Sequence, residues 1–238
     1  MLELILVHIN GRIGSMSYNI LDDPKANLLE GIVFIQHSYP YYNKNKLEDS
    51  YSNMKYSVQM IQQSLDGIIS IEKFYKVIIF DILIGNSDRH HSNWAIKPKS
   101  HPVDENNTIK ITTEICPLYD NGSSLCAYED NSDLSIFFKD KMKFEALVNT
   151  KSKSAIGWEN ERPIRHFELL HKIKDTSYSL TIQYIEKIKS NINEKSIVII
   201  LNEFDNTIIS EDMKKLLKMY ILERRKRMLE IYDLKDEV

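Results

Sequence analysis

Cysteine is almost absent from this sequence: Cys116 and Cys126 are the only two. Their C-x9-C spacing matches no zinc or redox motif, so two free thiols are expected and a disulfide framework is not. Glycine is scarce as well. The seven glycines contain no G-x-G-x-x-G, so the chain shows no glycine-rich phosphate loop. No apolar run reaches the roughly 18 residues that a membrane-spanning helix needs. The opening "MLELILVHING" has no basic flank and no small-residue cleavage site. It reads as a strand and not as a signal peptide, and a cytoplasmic location is expected. Positive charge is not in excess either. A net charge of −3 offers no general nucleic-acid surface. The one basic run, "ERRKR" from Glu223 to Arg227, falls inside a helical pattern and reads as a solvated helix face.

What is present is ordinary globular material, 42% hydrophobic and 27% charged over 238 residues. That length suits one large domain or two small ones. Residues 2–9 and 12–20 are rich in Ile, Leu, Val and Tyr, with Asn10-Gly11 between them. Asn-Gly tolerates the positive φ of a type I′ turn, so a β-hairpin is predicted. "DDPKAN", Asp22 to Asn27, reads as a loop broken by Pro24. Tyr39 to Asn53 reads as an ordered loop with room for a short helix.

A helix is predicted over Ser57–Leu65, ended by Gly67. A second should start at Ser70 as N-cap and stop at Gly85. This second helix is apolar almost all round, at Phe74, Val77, Ile78, Ile79, Ile82, Leu83 and Ile84, so it belongs in the middle of the domain. Beyond it, "NWAI" and "EICPLYD" are short apolar segments joined by a polar loop, Lys97 to Asn107, and are expected to pair as a hairpin. The remainder reads as helices at about 135–149, 164–173, 177–190, 195–204 and 210–233, the last capped by Ser210. The fold class is α+β, mainly α, with a short central hairpin.

Chemistry is concentrated in "GNSDRHHSN", just past the end of the central helix. Asp88 and Asn93 share this loop, and Asp120 arrives on a second loop, in "YDNG". Mg²⁺ takes oxygen ligands: a carboxylate, a side-chain carbonyl and substrate phosphates. Asn93 and Asp120 supply such oxygens and leave Asp88 free to face a nucleophile. The Asp88-x4-Asn93 spacing is that of a protein-kinase catalytic loop, and "YDNG" stands where the kinase metal-binding Asp-x-Gly element stands. A competing reading gathers Asp88, His90, His91 and Asp120 around a transition metal for hydrolysis. Adjacent histidines point to different sides, and no H-E-x-x-H occurs, which weakens it. One histidine is instead expected to buttress the loop, and Arg89 to orient a carboxylate or a loop carbonyl. No G-x-S-x-G elbow supports a serine triad. Ser123 and Ser124 read as ordinary loop serines.

"LIGNSDRHHSNWAI" followed by "PLYDNGSSL" resembles the HipA-like serine/threonine kinases, which carry an N-x-D-R-H-x-x-N loop and a later P-x-Y-D element. The matches are Asn86, Asp88, Arg89, His90 and Asn93, then Pro117, Tyr119 and Asp120. A phosphoinositide-kinase-like loop carries a related D-R-H-x-x-N pattern. The resemblance implies a catalytic set of Asp88, Arg89 and His90, with Asp88 as base. It implies nucleotide-binding by Asn86, Asn93 and Asp120, with Asn93 and Asp120 as the Mg²⁺ ligands. It also implies ATP and Mg²⁺ as cofactors and a protein substrate. "KSAIGWENERPIRHFELL", Lys153 to Leu170, is similar to helical C-lobe sequence of the same group.

A kinase also needs a phosphate cradle and a lysine paired with a helix glutamate. Only 87 residues precede Asp88, and Lys25, Lys44 and Lys46 lie in loop-like sequence. The organisation implied is a remnant N-lobe hairpin with hinge over 1–53 and a kinase-like C-lobe over 54–238. A complementing N-lobe chain or an antitoxin-like regulator is the partner expected. The alternative function is a non-catalytic kinase-like binding module.

Overall fold

The structure is a computed structural model that describes residues 4–9, 12–17, 19–21, 27–102 and 109–236. Strands β1 (Leu4–Ile9) and β2 (Arg12–Ser17) pair antiparallel, with Ile9 opposite Arg12. That register joins the strands across two residues, as an Asn-Gly turn requires. Asn10 and Gly11 themselves, and Pro24, lie outside the described residues.

A second sheet has the order β3 (Leu29–Glu30), β6 (Ala95–Pro102), β7 (Ile109–Ile115). Helix α1 (Gly31–Ser38) leaves β3 directly. The turn into it needs glycine: a Cβ on Gly31 would sit 2.2 Å from the Trp94 ring. The Gly31 N–H donates to the Trp94 carbonyl at 3.0 Å. The buried Trp94 indole stacks near Phe34 and meets Phe74 edge-on. Short strands β4 (Tyr42–Asn43) and β5 (Glu48–Asp49) form a small hairpin where a short helix had been allowed for. Residues 29–49, expected with the N-lobe, are thus pinned to the body of the molecule by pairing with β6 and packing on Trp94. Helix α1 escaped the sequence reading because "GIVFI" is short and β-branched, a pattern that reads equally as strand.

Helix α2 (Val58–Ser64) is capped by Ser57, whose side chain accepts from the Met60 N–H. Helix α3 (Ile71–Ile84) is capped by Ser70 and ends at Gly85, both as predicted. Gly85 has φ 71°, and a Cβ there would lie 1.9 Å from the Tyr220 hydroxyl. No L side chain meets both conditions without strain. Helix α3 is buried along its length and packs against the long helices that follow.

The β6–β7 ladder runs from Ile96 opposite Ile115 to Pro102 opposite Ile109, well into the expected 97–107 loop. Backbone pairing sustains it where the apolar pattern stops. Cys116 to Asp120, expected as strand, is irregular after a last bond from Cys116 N–H to Ala95 O. The expected 135–149 helix is broken into α4 (Ser135–Lys139) and α5 (Lys141–Glu145), followed by a π turn over Ala146–Thr150. Asp140 causes the break, because its carboxylate caps α5 at the Met142 and Lys143 N–H groups. Strands β8 (Lys153–Ser154) and β9 (Ile164–Arg165) pair where helical sequence had been expected. Helix α6 (His166–Asn191) then merges two expected helices across a kink at Ser177. Helices α7 (Glu194–Asn202) and α8 (Glu211–Ile231) complete the chain. Helix α8 contradicts the solvated reading of "ERRKR": Arg224 is 0% and Arg225 8% exposed.

The helices α3, α6 and α8 pack on one another and form the core that carries the loops. Among the described residues no helix is long and apolar enough to cross a membrane. Gly85→Ala should destabilise the chain by about 1–3 kcal/mol, the usual cost of a forced left-handed residue, through both φ and the Tyr220 contact. Urea unfolding checks it, and an unchanged midpoint contradicts this account of the helix end.

Candidate active site

Helix α3 carries one acid, Asp81, in its last turn, and this acid organises the loop beyond. Arg89 grips it with two bonds, Nε to Oδ2 at 2.9 Å and Nη2 to Oδ1 at 2.8 Å. Both residues are buried. Burial pushes the Asp81 carboxyl upward, and the Arg89 guanidinium and Asn86 amide oppose it. A fork of two N–H donors fits the ionised carboxylate.

The same guanidinium reaches three more acceptors. Its Nη1 donates to the Asn93 and Tyr119 carbonyls, each at 2.7 Å, and its Nη2 to Asn121 Oδ1 at 2.5 Å. One buried cation therefore ties the end of α3, the 86–93 loop and the 119–121 loop together. A second tie runs from the Ser87 N–H to the Ser123 carbonyl. The Tyr119 hydroxyl closes a third, to the Ser92 carbonyl at 3.1 Å.

Within the loop, the Asp88 N–H donates to Asn86 Oδ1 at 3.0 Å, and the Asn86 amide nitrogen donates to Asp81. The Asn93 amide nitrogen donates to the Asp88 carbonyl at 2.8 Å. That bond settles the Asn93 side chain, which is buried. Neither Asn93 Oδ1 nor the carboxylates of Asp88 and Asp120 bond to any described residue. Asp88 and Asp120 are exposed, and Asp120 holds a left-handed backbone at φ 51°. Strain of that kind gathers at sites where geometry matters more than local stability.

Of the expected residues, Asp88, Arg89, Asn93 and Asp120 thus meet at two loops joined by one guanidinium. Asn86 and Arg89 were expected at nucleotide and chemistry respectively; both are buried, and all their bonds run inside the protein. His90 is half-buried, with Nδ1 accepting from the Ser92 N–H at 3.1 Å. His91 is buried, its Nδ1 3.0 Å from the Tyr42 hydroxyl, with the Tyr42 and Tyr56 rings edge-on to it. Burial, with His90 and Lys44 nearby, lowers the pKa of His91 to about 4. Among the described residues no group of three or more His, Cys, Asp and Glu is placed to hold a metal ion, so the four residues of the hydrolase reading do not converge. Cys116 and Cys126 are buried free thiols, pushed by burial to about 11 and about 12.

Four supporting residues escaped the sequence reading. Asp81 was visible as an acid set among Ile78, Ile79, Ile82 and Leu83 near the end of an apolar helix. Tyr56 donates to the Arg89 carbonyl and accepts from the Trp94 indole. His166, at the start of α6, lies with Nε2 2.9 Å from the Asn86 carbonyl and Nδ1 2.8 Å from the Ser152 hydroxyl. Arg224 on α8 donates to the Ile82 carbonyl at the end of α3, to Ser152 Oγ and to the Val148 carbonyl. Nothing local in the sequence marks these last two.

No protein-family model matches this sequence. The serine/threonine-protein kinase CtkA of Helicobacter pylori is 23% identical over 159 residues, covering 66% of this chain and 45% of CtkA. The chain therefore spans under half the length of this curated relative. The crystal structure of the H. pylori proinflammatory kinase CtkA superposes with a TM-score of 0.75 at 17% identity, over 97% of this chain and 78% of that one. The chain has the fold of that kinase. The resemblance to HipA-like kinases read from the two motifs agrees with both comparisons.

Two predictions follow from the buried charges. Removing one partner of a buried ion pair leaves the other uncompensated, at a cost of about 3–5 kcal/mol. Arg89→Met should therefore destabilise by that order in urea, and Asp81→Leu added to it should recover part of the loss. Equal stability of single and double variants would contradict the pairing. The second concerns acid. His166 falls from its ordinary 6.5 to about 3, through burial and the Arg224 charge, and His91 falls to about 4. Below 6.5 the unfolded chain binds these protons before the folded chain does, so stability is lost on acidification. Each histidine should cost up to about 1.4 kcal/mol per pH unit in that window. Melting followed from pH 7 to about pH 5 checks it; a flat profile contradicts the neutral, buried histidines.

Proposed function

We propose that this chain is the catalytic lobe of a protein kinase, transferring the γ-phosphoryl group of ATP to a serine or threonine hydroxyl of a protein substrate. One observation carries the reading: three oxygen groups without protein partners, on Asp88, Asn93 and Asp120, stand on two loops that a single buried guanidinium joins. Phosphoryl transfer is mostly positioning and charge neutralisation, and this donor set suits it.

In this reading Asp88 accepts a hydrogen bond from the substrate hydroxyl, aligns its oxygen for attack and takes its proton as the bond to phosphorus forms. Asn93 Oδ1 and the Asp120 carboxylate would hold Mg²⁺. The donor chemistry fits a hard cation, because both groups present oxygens. Such an ion would supply charge neutralisation at the phosphates. Arg89, Asn86 and His90 serve by holding the loop.

The acceptor side is marked by a cavity of about 470 Å³ beside Ser87 and Ser123, lined further in by Phe137, Leu147 and Tyr220. A protein substrate enters there.

Saturating ATP–Mg²⁺, at about 100 times its Kd, should stabilise the chain by about 2.7 kcal/mol. Asn93→Ala and Asp120→Ala should each weaken that stabilisation by about tenfold in affinity. Asp88→Ala should keep it while lowering phosphoryl transfer to a serine peptide library by about 10²-fold or more. Transfer that survives Asp88→Ala removes its role. No nucleotide stabilisation of the wild type overturns the kinase reading in favour of a kinase-like binding module.

A further inference from the structure

The Asp88 carboxylate is exposed and makes no hydrogen bond to a described residue, so its aim comes from the backbone. The Asp88 carbonyl accepts from the His90 N–H and the Asn93 amide within the loop. The Asp88 N–H is held by Asn86, whose Oδ1 takes it at 3.0 Å. The Asn86 carbonyl, in turn, has one side-chain partner, His166 Nε2 at 2.9 Å. A carbonyl only accepts, so His166 carries its proton on Nε2 and its Nδ1 accepts from the Ser152 hydroxyl. Ser152 Oγ then accepts from Arg224 Nη1 at 2.8 Å. Every donor in the series Arg224, Ser152, His166, Asn86 carbonyl meets one acceptor.

The series is also rigid. His166 and Arg224 are 1% and 0% exposed. The Arg224 guanidinium lies over the Phe167 and Tyr220 rings. It donates to the Ile82 carbonyl, so the same cation clamps the end of α3 from which the loop departs. Ser152 and Gly85 both face the acceptor-side cavity. The series therefore runs from the wall of that cavity to the residue two before Asp88. The depressed pKa of His166, from burial and the Arg224 charge, keeps the ring neutral near neutral pH, and its two hydrogen bonds select the tautomer.

We propose that His166 is a positioning residue, whose Nε2–H bond to the Asn86 carbonyl sets the backbone that aims Asp88 and links it to the wall of the acceptor-side cavity. The proposal rests on the reading of Asp88 as the group that faces the substrate hydroxyl. Arg89 holds the loop to the end of α3 and to the 119–121 loop, and Tyr56 holds the Arg89 carbonyl. His166 holds it from the start of α6, through a series that reaches Ser152 on the cavity wall.

Two variants separate positioning from bulk. His166→Leu keeps an apolar volume and removes the donor. His166→Gln places an amide N–H near the position of Nε2 and keeps the donor. Hydrogen–deuterium exchange on the full chain should show the Asp88 and His90 amides of the Leu variant exchanging about tenfold faster, with the amides of α3 and α8 unchanged. The Gln variant should restore protection to within about threefold of wild type. In phosphoryl transfer, the Leu variant should lower kcat by about tenfold or more, with the KM for ATP held within about twofold. Equal behaviour of Leu and Gln overturns the proposal. So does Leu with unchanged loop exchange, or with exchange raised uniformly through the core. The exchange experiment needs no turnover, so absence of nucleotide binding would sink the kinase reading and leave this result to be judged by itself.

Discussion

The Arg89–Asp81 pair is the interaction on which the site depends. A charged pair removed from water has little net stability to offer, because desolvation cancels most of the attraction. Its effect here is geometric. Asp81 stands, itself buried, on the last turn of the helix that packs against α6 and α8, so its position is set by the core. Arg89 transmits that position to two loops that share no sequence neighbourhood. A neutral side chain of the same size would fill the space, but it would not meet two carbonyls, an amide oxygen and a carboxylate together. Arginine's planar fork does so.

A division of labour follows from burial. Asp88 and Asp120, which are exposed, and Asn93, which is buried, each keep an oxygen acceptor with no hydrogen-bond partner among the described residues. Every group behind them, on Asp81, Asn86, Arg89, His166 and Arg224, is buried and saturated with hydrogen bonds. The backbone strain at Asp120 sits on the outward side, next to the carbonyl that Arg89 holds. Catalytic competence in a phosphotransferase needs such an arrangement, since the protein contributes placement and charge more than covalent chemistry.

Much of the fold was legible from local rules. Ser57, Ser70, Ser210 and Gly85 act at helix ends as their residue types require. The apolar periodicity of 71–84 marked the central helix. Other elements were not legible, for stated reasons. Helix α1 is short and β-branched. The β6–β7 ladder continues through polar sequence because backbone hydrogen bonds do not need apolar side chains. Asp140 looked like part of one helix and instead caps the next. In the site, the spacing of Asp88, Asn93 and Asp120 was legible because loop chemistry demands particular residue types. Arg89 was legible as a residue that orients a carboxylate or a loop carbonyl, and it does both. The inward bonds of Asn86 were not legible, because a polar loop residue can face inward or outward with the same letters.

The sequence by itself determined the helix ends, the central helix, the two loops and the three oxygen-bearing side chains, Asp88, Asn93 and Asp120, that they carry. These depend on residue type and spacing within a few residues. Only the tertiary structure decided what holds them. Asp81 to Arg89 spans one loop, but His166 and Arg224 reach Asn86 and Ile82 from far along the chain. In the sequence Arg224 belongs to a basic run that reads as solvent-facing. It is buried because the end of α3 leaves carbonyls that need a donor, and the packing of α8 brings one there.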